Sequence, residues 1–164
     1  MQRRAVLAGL AASLLMPKLA LAKDVLELEW ADLLPEGETA MPPMIQGLID
    51  HSQAPLSSQQ PASSGVRTDW TGKTVRLPGF IVPIDYDGTG VTAFILVPYV
   101  GACVHVPPPP ANQLVFVTTK RPYESDGMFE AVEVTGRFSV STTSTQLAQI
   151  GYAMAADRIR PHRA

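Results

Sequence analysis

Apolar and polar residues alternate with a period of two through most of the chain beyond residue 72, a pattern that predicts strands. In KTVRLPGFIVPID, Val75 and Leu77 share one parity while Phe80 and Val82 sit on the other. The switch falls at Pro78-Gly79 and predicts a glycine-borne β-bulge that bends the first strand of a barrel. Asp85-Tyr86-Asp87-Gly88 and Thr89-Gly90 read as a tight turn, and VTAFILVPYV, apolar on both faces, as a central buried strand. LVFVTT, residues 114–119, is a third strand. In FEAVEVTGRFSV, Val132, Val134, Phe138 and Val140 share a face with Gly136, and Glu133 and Arg137 occupy the other. A helical turn is expected around Gln146 to Ile150, and YAMAADRIRP closes the series as a fifth strand.

Ahead of these strands, LELEW reads as a short strand, and PPMIQGLIDHS places Met44, Ile45, Leu48 and Ile49 at helical spacing. QAPLSSQQPASSG, Gln53 to Gly65, has almost nothing to bury and reads as a mobile connection. The expected fold is mainly β: a small, five-stranded, partly open antiparallel barrel of the oligosaccharide/oligonucleotide-binding type, with an N-terminal arm and one short helix. A two-sheet sandwich is the alternative. The expected organisation is a cleaved leader at 1–22, an arm and flexible linker at 23–66, and a barrel core at 67–164.

The leader rests on Arg3 and Arg4, an apolar run from Ala5 to Met16, and Ala20-Leu21-Ala22. The arginine pair resembles a twin-arginine signal, with ordinary secretion as the other route. That run falls short of the roughly 20 residues a membrane-spanning helix needs. The expected location is therefore the periplasm. The whole chain carries 13 Lys+Arg against 15 Asp+Glu. Removing Arg3, Arg4 and Lys18 with the leader leaves a net charge of −5, and the remaining cations are dispersed, which argues against nucleic acid as a partner.

Candidate chemistry concentrates in GACVHVPPPPANQ, residues 101–113. On an extended chain, Cys103 and His105 would project from one face, and a thiolate with a neutral imidazole suits zinc or copper. Further ligands would have to come from elsewhere: His162, His51, Met154, Asp157 or Glu130. Pro107, Pro108, Pro109 and Pro110 predict a polyproline II rod of roughly 12 Å at about 3.1 Å per residue, usable as a recognition surface or a stiff wall. Asn112 follows it and can supply amide hydrogen bonds to a partner.

This segment, together with GKTVRLPGFIVP at residues 72–83 and YAMAADRIRP, resembles a family of small exported bacterial proteins of the domain-of-unknown-function class. The resemblance implies a periplasmic or lipid-anchored accessory protein, associated with ATP-driven (ABC-type) permease systems, and a suspected metal site at Cys103 and His105. No cysteine follows the expected cleavage point, so the lipid anchor does not carry over. Three functional readings follow. One is a zinc- or copper-binding protein that contacts an envelope transport partner. The second is an enzyme with Cys103 as nucleophile and His105 as base, although neighbouring alternate positions on a strand run nearly parallel and align poorly for proton transfer. The third is a metal-free interaction module that uses the proline segment.

Overall fold

The computed structural model describes residues 24–39 and 55–162; the leader, the helix expected at 44–49 and His51 lie outside them. Among the described residues six strands are present: β1 (Val25–Glu27), β2 (Thr74–Asp87), β3 (Gly90–Val97), β4 (Val115–Tyr123), β5 (Ala131–Ser144) and β6 (Gln149–Pro161). Five form a closed ring in the order β2-β3-β4-β6-β5, with β5 returning to pair β2, and β1 is added beside β2. The fold is the expected mainly β one, a small five-stranded barrel with an N-terminal arm, but the ring is closed where a partly open antiparallel one was expected, and it is mixed. The difference comes from β6, which runs parallel to β4 from Val115↔Tyr152 to Thr119↔Ala156 and antiparallel to β5. Residues 145–148 form a hydrogen-bonded bend, not a helical turn, with the Thr145 N–H donating to the Ala148 carbonyl at 2.9 Å.

The parity switch in β2 has a different cause from the expected bulge. Pairing with β5 runs unbroken from Thr74↔Arg137 to Phe80↔Ala131, and the irregularity in β2 comes later, between Pro83 and Asp85. Val75, Leu77 and Ile81 point into the barrel, while Phe80 and Val82 pack on its outer face, where a second apolar cluster covers them. Gly79 is there for space: a Cβ would sit 2.9 Å from both Leu96 Cγ and the Val97 carbonyl. Phe94 and Leu96 of β3 face the barrel interior and Ile95 and Val97 the outer cluster, so both faces of this strand are buried.

The arm and the barrel share one core. β1 pairs in parallel with Thr74 to Arg76, the stretch of β2 that β3 does not reach. Leu28 and Leu33 then enter the barrel cluster. The Tyr152 ring packs on Phe138 at 5.1 Å between centroids. Its hydroxyl donates to the Leu33 carbonyl at 2.7 Å and accepts the Arg67 N–H at 2.7 Å, tying arm and core entrance to β6. The connection read as mobile is docked where it is described. Gln60 Nε2 donates to the carbonyls of Pro109 (2.9 Å) and Gln149 (2.8 Å), and its Oε1 accepts the Gln149 N–H at 2.8 Å. Ser and Gln side chains bury little apolar surface, but they can replace a missing strand partner with side-chain hydrogen bonds.

Candidate functional site

β3 and β4 are joined by a long connection, residues 98–114, and this is where the unusual chemistry lies. Its first half is not extended. Cys103 adopts φ 67° and Gly101 φ 93°, and the N–H groups of Val104, His105 and Val106 all turn toward the Gly101 carbonyl, at 3.3, 2.9 and 3.2 Å. A left-handed non-glycine residue costs roughly 1–2 kcal/mol, which the surrounding packing must offset. Folding back in this way removes the shared face expected of Cys103 and His105. Cys103 is 2% exposed, among Val82, Ile95, Val97, Leu114 and Ile150, whereas His105 is exposed, its ring 6.0 Å from that of Phe129.

Burial pushes the Cys103 thiol up to about 12, so at neutral pH it is a protonated apolar side chain. A zinc or copper ion needs a thiolate and an imidazole converging on one point. This arrangement does not fit such an ion, and among the described residues no three His, Cys, Asp or Glu side chains gather. His162 is exposed, its N–H held by the Ala131 carbonyl at 2.8 Å. Burial holds the same thiol in its protonated form, and among the described residues no cation offsets this to give the activation a nucleophile requires.

The second half of the connection builds a wall. Pro107, Pro108 and Pro109 are buried and Pro110 is half-buried, so the proline run lies against the molecule instead of standing out as a rod. Beyond it a short 3-10 turn, Ala111–Gln113, buries Asn112 and Gln113. Pro98, Tyr99, Pro109, Pro110, Asn112 and Gln113 form one side of a pocket of about 690 Å³. Trp30, Leu34 and Glu38 come to it from the arm, and Pro61 and Ser64 from the segment docked by Gln60. Tyr99 links this pocket to the outer cluster, and its phenol is pushed up to about 12 by burial and by Cys103 close by. Cys103 therefore helps to pack the pocket wall from behind.

Hydrogen bonding fixes the polar groups around the pocket. Trp30 Nε1–H donates to the Pro78 carbonyl at 2.8 Å, and Gln113 Nε2 to the carbonyls of Trp30 and Asn112 at 2.9 and 3.1 Å. Ser64 donates its hydroxyl proton to Glu38 Oε2, which leaves Ser64 Oγ as the acceptor for Asn112 Nδ2 at 3.3 Å. This relay orients the Asn112 amide. Its Oδ1 is buried and has no partner among the described residues, and Asn112 as a whole is 1% exposed. A buried acceptor left unsatisfied costs about 1–3 kcal/mol.

Sequence reasoning placed Asn112 and the prolines near a recognition surface but missed Trp30, Glu38, Pro61 and Tyr99. These come from three separate stretches, and no local spacing announces them. The turn loops at which barrels of this type commonly hold oligomers offer little: the β2–β3 connection is only Gly88-Thr89. No helix among the described residues is long and apolar enough to cross a membrane.

The family described as "protein of unknown function (DUF3299)" matches residues 30–161. The chain is also similar to a DUF3299 family protein from Pseudomonas aeruginosa PAO1 whose crystal structure was solved at 2.45 Å resolution. The identity is 36% over 87% of this chain and 98% of that one, with a TM-score of 0.76. No curated protein matches.

Proposed function

The chain belongs to the DUF3299 family, whose function is unknown, and we propose that it is a metal-independent binding module of the cell envelope that receives its ligand in the proline-walled pocket. The observation that carries this reading is the pocket itself, about 690 Å³, with a buried acceptor on lining residue Asn112 that nothing among the described residues satisfies. Pockets of roughly 300–1,000 Å³ with mostly apolar walls and a few fixed polar groups are the usual form of a ligand site. Prolines and packed aromatics lose little freedom when covered, so such a wall binds at low entropic cost. The leader-like start of the sequence supports placement outside the cytoplasm. Cys103 takes part only by packing behind Tyr99.

The test is a titration of isotope-labelled protein with capped single residues, N-acetyl-X-N-methylamides covering the natural side chains, at millimolar concentration. Resonances of the Trp30 indole, Tyr99 and the Asn112 side chain should shift together with at least one probe, and Cys103→Ser should leave that pattern in place. The proposal fails if no probe moves these resonances, or if the shifts gather elsewhere on the barrel.

A further inference from the structure

Resting on the pocket being a binding site, we infer that its ligand is an organic cation: an ammonium or guanidinium group carried on an apolar stem. Much of the lining brings no N–H. Pro61, Pro98, Pro109 and Pro110 bring backbone carbonyls but no N–H. The side-chain donors from Trp30, Ser64, Gln113 and the Asn112 amide nitrogen are already given to acceptors within the protein. Among the described residues Asn112 Oδ1 is a buried acceptor without a partner, and its orientation follows from the Ser64 relay to Glu38.

Charge points the same way. Among the described residues, Glu38 is the one ionisable acid or base on the lining besides the Tyr99 phenol, and no Lys, Arg or His stands there to meet an anion. An anionic ligand would bring acceptors to an orphaned acceptor and a carboxylate. A cation brings the N–H donors that Asn112 lacks and the charge that Glu38 complements. Trp30 and Tyr99 offer aromatic faces of the kind that attract ammonium and guanidinium groups. Leu34 and the proline rings cover an aliphatic stem, as they would the methylenes of a lysine or of a free alkylamine.

The experiment uses the same folded chain and the same resonances. The probes are n-butylammonium and the capped Lys and Arg residues, set against capped norleucine, glutamine, Nε-acetyl-lysine and glutamate. The cations should bind about five- to tenfold more tightly than the neutral probes, with glutamate weakest, and added salt should weaken only the cations. Glu38 is exposed, so Glu38→Gln should fold normally, checked by an unchanged melting temperature, and should cut the cation preference to within about threefold. Tighter binding of butylammonium than of capped lysine identifies a free amine as the natural source. The reverse order identifies a side chain on a partner protein. Equal binding of norleucine or glutamine, or a preference untouched by Glu38→Gln, overturns the cation inference while leaving the pocket a binding site. Silence of every probe at the pocket overturns both.

Discussion

At the scale of single residues, the fate of Cys103 shows how much one backbone angle decides. The sequence places Cys103 and His105 two apart, which on a strand means the same side. With Cys103 at φ 67° the two part company, one sealed in and the other in solvent. Nothing in the residue types announces that angle, because left-handed backbone is expected of glycine and asparagine, not of cysteine. Gly101, with its φ of 93°, was the only visible hint. A thiol pushed up to about 12 should alkylate with iodoacetamide near pH 8 about a thousand-fold more slowly in the native protein than after unfolding. Reaction at the rate of a free thiol would contradict the burial described. The shift also sets the sign of a stability effect. The folded thiol holds its proton more tightly than the unfolded one, so its contribution is complete below about pH 9 and is lost as the pH rises toward about 12. Denaturant midpoints measured across that range should fall, and should fall less in Cys103→Ala.

Elements were more legible than residues. β2 and β5 follow from period-two patterning, since each turns one face to the barrel interior, and β3 from a run that is apolar on both faces. β2 was read correctly as changing parity and wrongly as bulging there, because periodicity reports which side chains are apolar and not which of two cores they enter. The docked linker was invisible for a related reason: Gln60 holds it by hydrogen bonds, which leave no apolar signature. A single hydroxyl does comparable work between β6 and the arm. Tyr152→Phe keeps the ring on Phe138 but strips the Arg67 N–H and the Leu33 carbonyl of their partner. The expected cost is about 1–3 kcal/mol, read from denaturant unfolding, with faster amide exchange at Arg67. An unchanged midpoint would mean that water replaces the hydroxyl at no cost.

For the whole molecule, the pattern of the sequence conveyed a small barrel but not that the ring closes, since closure depends on which strands meet and strand pairing is non-local. It also hid the dependence of the barrel on its arm. Leu28 and Leu33 complete the interior cluster, and burying a leucine is worth about 1.5–3 kcal/mol, so the pair matters beside the 5–15 kcal/mol that holds a typical domain together. Deleting residues 24–34 should therefore lower the thermal midpoint sharply or abolish the cooperative transition followed by circular dichroism. A truncated chain that melts like the full one would make the arm an accessory. The strand order carries one more implication. β6 follows β4 and β5 in the chain, yet it is the plank between them, and until it arrives those two strands stand with raw edges toward each other. A nascent chain halted before Gln149 is a gapped arc that cannot seal, so closure of the ring waits for β6, and any truncation that removes this strand leaves two sticky rims open to aggregation.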